Sequence, residues 1–216
     1  MISSSIARKL AMALSGVFLV LFLGQHFTIN MTSVISEKTF NSISHFMGTN
    51  PLVQFVLQPI LIFGVLFHFI MGFVLEIKNR KSRSIKYTTF NGAANASWVS
   101  RNMILSGIVI LSFLGLHFYD FWLPEINHKY IEFLPENPDR YHEELVHKFH
   151  DPRKVILYSV SFFFLALHLY HGFASSFQTV GFNNKFSKSI KLFTVAFSIV
   201  VPLGFVFIAV FHHLNG

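Results

Sequence analysis

The chain has 216 residues, 52% of them apolar and 12% charged, with 28 phenylalanines and a formal net charge of +7. That is far more apolar than a soluble domain of this length needs, and it reads as an integral membrane protein. The absence of cysteine excludes a chain-borne iron–sulfur cluster, a disulfide and covalent c-type haem attachment, so any cofactor has to be held by histidine.

In chain order, Arg8 and Lys9 precede an apolar run over 10–29. It is expected to be an uncleaved first span, because no small-x-small cleavage site follows Leu23. A polar stretch over 30–50 leads to a second span over 51–75, with Pro59 tolerated as a kink. Lys78, Arg80, Lys81, Arg83 and Lys86 then form a basic loop before a third span over 102–123. An acidic segment, 124–154, separates it from a fourth span over 155–177, and Lys185, Lys188 and Lys191 lead into a fifth over 192–211. Each run is about 20 residues or longer, enough to cross a hydrocarbon core of about 30 Å. The expected fold is an all-α, single-domain bundle of five transmembrane helices.

Arg8, Lys9, the 78–101 segment and Lys185 to Lys191 carry eleven of the seventeen Lys and Arg residues, whereas most acids lie in 30–50 and 124–154. The positive-inside rule therefore places the N-terminus in the cytoplasm and the C-terminus outside. Membrane orientation accounts for the basic charge, and no nucleic acid is expected as a partner. Trp98, Tyr119 and Trp122, at the ends of the third span, suit the interfacial aromatic belts.

An internal repeat organises the chain. MALSGVFLVLFLGQHF from Met12 and MILSGIVILSFLGLHF from Met103 are identical at nine of sixteen positions. A second pair follows each copy, LFHFIMGF around His68 and ALHLYHGF around His168, sharing a histidine with Gly72 or Gly172 four residues on. With the orientation above, His26 and His117 lie near the outer ends of two spans. His68 and His168 lie in the inner halves of two others. The two levels are separated by roughly 10 to 15 Å along the membrane normal. Two stacked bis-histidine b haems require this arrangement, with His26 and His117 as outer axial ligands and His68 and His168 as inner ones. Gly72 and Gly172 leave room for a porphyrin edge, and Ser15 and Ser106 present small residues at the depth of the inner haem. Gly24 and Gly115 face the other way and suit close helix packing.

Zinc or copper would favour tighter clusters with carboxylate or thiolate partners, and the spans hold acids only at their ends, Asp120 and Glu76. The same absence weighs against an ion-coupled transporter. His142, His147 and His150, among Glu143, Glu144 and Asp151, read as a solvated amphipathic segment, and His212 and His213 as interfacial tail residues. His171 competes with His168 for the inner ligand position. The glycine at plus four in both copies, and Met71 at the position matching His171, assign the ligand to His168. His171 then lies toward the cytoplasmic edge, where it would hydrogen-bond a propionate.

Five spans, one histidine in each of the first four, and the stretch HLYHGFASSFQTVGF from His168 resemble the di-haem cytochrome b membrane anchor of the succinate:quinone oxidoreductase family, which comprises succinate dehydrogenase and fumarate reductase. The similarity covers nearly the whole chain, with 168–181 its most specific part. It implies a multi-pass anchor in a bacterial inner membrane holding two haem b groups, with flavoprotein and iron–sulfur subunits docked on the cytoplasmic side. It further implies a quinone, menaquinone in this branch, reacting at this subunit. The family's acidic residue near the outer ends of the first two spans has no match, since Glu37 stands at a different spacing. Two alternative readings are the cytochrome b anchor of another dehydrogenase or hydrogenase, and a membrane metal-binding protein or transporter.

Overall fold

The computed structural model describes residues 4–81, 102–181 and 187–216. Its regular elements among those residues are all helical. They are α1 (Ser5–Ile35), α2 (Glu37–Thr49), α3 (Val53–Lys81), α4 (Met103–Ile131), α5 (Arg140–Phe149), α6 (Pro152–Thr179) and α7 (Ser187–Asn215). Five of them, α1, α3, α4, α6 and α7, are long and apolar enough to cross a membrane, which makes this a multi-pass membrane protein. Arg83, Lys86, Trp98, Arg101 and Lys185, on which part of the charge and aromatic-belt reading rests, lie outside the described residues.

Local chemistry sets the joints. Ser36 is extended, and its hydroxyl accepts the Thr39 amide at 3.2 Å, which stops α1 and caps α2. Asn50 accepts the Leu52 and Val53 amides at 3.0 and 3.3 Å, with Pro51 between them, and Asp151 accepts the Arg153 amide at 2.9 Å ahead of Pro152. In both, proline takes the first helical position, where its missing N–H costs nothing.

The bundle is built on α7, the most buried of the spans, which packs mainly against α6 and also against α1. Thr194, Ser198, Val201, Phe205, Ile208 and Ala209 line its inward face. Small residues let the helices approach, and a Cβ on Gly204 would overlap the Phe27 ring. Gly24 backs onto Phe197 at 3.5 Å, but Gly115 meets nothing within 4 Å, so close packing holds for one of those glycines only. Leu21, Phe63, Ile70, Phe163, Leu192 and Leu203 face outward as the apolar, lipid-facing surface.

The helices run past the apolar windows. α1 extends to Ile35 and α4 to Ile131, and α2 and α5 pack on each other across one end of the bundle. We call this the capped end; the opposite, basic end carries Arg8, Lys9, Lys78, Arg80, Lys81, Lys188 and Lys191. The polar segments 30–50 and 124–154 are thus largely helical. Their charges pair along and between helices instead of ending them: Lys129 and Arg140 both bind Glu125, and Arg140 binds Glu144 at 2.6 Å. Asn41, only 3% exposed, locks α2 to α5 by donating to Asp139 O at 2.9 Å and accepting the His142 amide at 2.7 Å.

Asp120 is not a span-end acid at the surface. A π-helical stretch, Phe118–Trp122, inserts a residue into the turn and swings Asp120 inward to 1% exposure, where Lys154 and the Tyr158 hydroxyl (3.0 Å) bind it. Asp120→Ala is expected to lower the unfolding free energy of the purified chain by about 2–4 kcal/mol, below the full cost of breaking a buried pair because Lys154 keeps part of its hydration. Adding Lys154→Met should restore part of the loss in denaturant unfolding in detergent. A double variant no more stable than the single one would show that the pair does not hold α4 to α6.

Candidate functional site

The repeat becomes two equivalent hairpins, α1 with α3 and α4 with α6. In the first, Ser15 Oγ lies 3.0 Å from His68 Nδ1; in the second, Ser106 Oγ lies 3.1 Å from His168 Nδ1. Other equivalent contacts follow. A Cβ on Gly72 would meet the Met12 methyl at 3.6 Å, and one on Gly172 would meet the Met103 methyl at 2.8 Å. The space beside these glycines, expected to clear a porphyrin edge, therefore holds methionine side chains. Gly16 and Gly107, which the sequence reading passed over, stand beside the inner rings: a Cβ there would lie 3.5 Å from His68 Cε1 and 3.9 Å from His168 Cε1. The signal for them was present in the repeated Ser-Gly pair.

The hairpins then face each other. His68 and His168 bring their ring centres to 6.4 Å at 67°, and His26 and His117 bring theirs to 5.7 Å at 84°. Two imidazoles that each reach one shared metal ion at about 2 Å have ring centres roughly 6 Å apart. The two pairs are stacked along the bundle. Ser15 sits level with His68, and His26 stands eleven residues further along α1, about 16 Å at 1.5 Å per residue.

An aromatic sleeve surrounds the pair nearer the capped end. Phe22 stacks on His26 at 5.5 Å and Phe113 on His117 at 5.9 Å, each one helical turn before its histidine. Phe205 adds to the His26 side, Phe121 and Tyr158 to the His117 side. His117 Nδ1 is buried with no hydrogen-bond partner among the described residues. His171 is half-buried on α6, one turn nearer the basic end than His168.

This donor set suits a group that takes two imidazoles on opposite faces. Each level offers two imidazole nitrogen donors and, among the described residues, no free acid, since Asp120 is already bound by Lys154 and Tyr158. A structural or catalytic zinc takes three or four protein ligands, whereas each level brings two histidines face to face. The ring separations fit two bis-histidine haems.

A second histidine cluster lies in the cap. His212, taken from sequence as an interfacial tail residue, is 2% exposed; its Nε2 donates to Ser33 Oγ at 2.8 Å, and its ring lies 5.3 Å from that of His142. His142 Nε2 donates to Ser33 O at 3.2 Å and His213 Nδ1 to Phe149 O at 2.9 Å. His142, His147, His150 and Glu37 line a cavity of about 710 Å³ beside them. The 142–150 segment is amphipathic as expected, with His147 and His150 exposed, but its other face carries His142 onto the ends of α1 and α7.

Comparison with protein-family models, curated proteins and solved structures returned no match. Ser33→Ala is expected to cost about 1–3 kcal/mol of stability by leaving the buried His212 N–H without an acceptor. Ser33→Thr, which keeps the hydroxyl, should unfold as the parent chain does in the same thermal melt. Equal losses in both variants would point to packing rather than the hydrogen bond.

Proposed function

We propose that the chain is the di-haem cytochrome b membrane subunit of a succinate:quinone oxidoreductase. It would link flavoprotein and iron–sulfur subunits on the cytoplasmic face of a bacterial inner membrane to membrane quinone, menaquinone in this branch. One observation carries the reading: four half-buried histidines on four helices form two facing pairs, with ring centres 5.7 and 6.4 Å apart, at two levels of one bundle. The resemblance of 168–181 to the family's anchor subunit supports the choice of partner enzyme.

His26 and His117 hold the outer haem and His68 and His168 the inner one. Bis-histidine haem iron has no open coordination position, so it supplies one-electron transfer in preference to oxygen binding. The chain's own part is to fix two coordination levels about 16 Å apart along the helices. Around His26 and His117 the phenylalanine sleeve excludes water and limits how far each ring can turn. His171, nearer the basic end, would donate a hydrogen bond to an inner propionate. The basic end is the cytoplasmic face, in keeping with the positive-inside rule, and its lysines and arginines form the docking surface for the hydrophilic subunits. The quinone reaction belongs to this subunit, whereas succinate and fumarate chemistry belongs to its partners.

A reduced-minus-oxidised spectrum of the purified complex is expected to show two b-type components. His26→Ala and His117→Ala should each remove the same one, and His68→Ala and His168→Ala the other. Absence of b-type bands, or joint loss that groups His26 with His68, would overturn the assignment. Identifying the co-purifying subunits separates a succinate or fumarate enzyme from another dehydrogenase or a hydrogenase.

Neutralising Lys78, Lys81, Lys188 and Lys191 together to Gln is expected to weaken subunit association at physiological salt with both haems retained. Crosslinks from the hydrophilic subunits to α2 or α5 would place docking at the wrong end.

A further inference from the structure

The two inner histidines share a device that is not found at the outer two among the described residues. Ser15 Oγ donates its only proton to Met12 O at 2.9 Å, and Ser106 Oγ donates its own to Met103 O at 2.8 Å. A carbonyl has no proton to give back, so each hydroxyl can meet its imidazole only as an acceptor. With each hydroxyl proton on its helix carbonyl, His68 and His168 meet the oxygens at 3.0 and 3.1 Å as Nδ1–H donors, the tautomer that leaves the lone pair of each ring on Nε2. The residue after each serine is a glycine that stands beside the Cε1 edge of the same ring. Ser106 is only 5% exposed, so little water competes for its oxygen.

At the outer level His117 Nδ1 has no partner among the described residues. His26 Nδ1 faces the Asn30 amide nitrogen at 3.5 Å, a donor that cannot accept an imidazole N–H. Among the described residues no hydroxyl serves either outer ring.

We propose that Ser15 and Ser106 are positioning residues for the inner haem. They fix the tautomer and orientation of His68 and His168 so that Nε2 of both rings faces the iron, and they strengthen both rings as donors. This rests on the haem reading above. A ligand whose second N–H is hydrogen-bonded is the more basic donor, and it favours ferric over ferrous iron. The serines therefore hold the inner potential down and do not act on the outer one.

The test uses the full chain in its complex, with Ser15→Ala, Ser106→Ala, Ser15→Thr and Ser106→Thr. It reads the midpoint potential of each b component and the rate at which a haem-scavenging apoprotein strips haem. Each alanine variant should raise the inner potential, weaken inner haem retention about 10–100-fold and leave the outer component unmoved. The threonine variants, which keep the hydroxyl, should match the parent. Outright loss of the inner haem in an alanine variant, with retention in its threonine counterpart, supports the proposal equally. Unchanged potential and retention in the alanine variants, or equal changes with threonine, would overturn it. A parent complex with no b haem would overturn the haem reading and this inference together, a result distinct from two haems whose potentials do not move.

Discussion

An imidazole placed inside an apolar bundle still carries an N–H, and leaving it without an acceptor away from water costs as much as several good packing contacts return. This chain meets the demand three times in one way. Ser15, Ser106 and Ser33 each give the hydroxyl proton to the carbonyl three residues back, then accept from a histidine on another helix. Because serine and histidine belong to different helices, each contact also sets a register: α1 against α3, α4 against α6, and α1 against α7. Lipid is as apolar as the helix faces, so hydrophobic burial alone gives membrane helices little preference for one register over another. A few buried polar contacts and the small residues that allow close approach do that work here.

The fold then divides into two tasks. α7 supplies bulk packing, with Phe205 stacked on Phe162 at 5.2 Å and Gly204 fitted against Phe27. The two repeated hairpins supply the histidines, and their equivalence keeps the pairs matched: the Ser-Gly pair seats the ring near the basic end, and the phenylalanine one turn before His26 and His117 stacks on the ring near the capped end. The same sixteen-residue motif thus serves both levels. Each copy brings one histidine of its own and seats a second from the partner helix, so duplicating the hairpin once gives four imidazoles in two facing pairs.

The capped end obeys different physics, because it meets water. Charges there pair along a helix, as in Arg140 with Glu144, or join helices, as in Arg140 with Glu125. Asn41 satisfies backbone groups of the α5 start from α2. α2 and α5 lie over the ends of α1 and α7, close the bundle on that side and bury His212 in the process.

The sequence by itself determined the number of spans, the internal repeat and which histidines share a level. Apolar run length and a fixed offset are local properties, and helical rise converts positions directly into depths. It also exposed the Ser-Gly pair and the phenylalanines before His26 and His117 as repeated, without saying what they touch. Only the tertiary structure decided the contacts. Asp120 turns inward through a π-helical shift that leaves no mark in the apolar pattern, Met12 and Met103 occupy the space beside Gly72 and Gly172, and Ser33 reaches His212 across 179 positions of sequence. A charged or polar residue near a span end reads as solvated until another helix is laid over it, and what lies over it is a long-range fact that no local window contains.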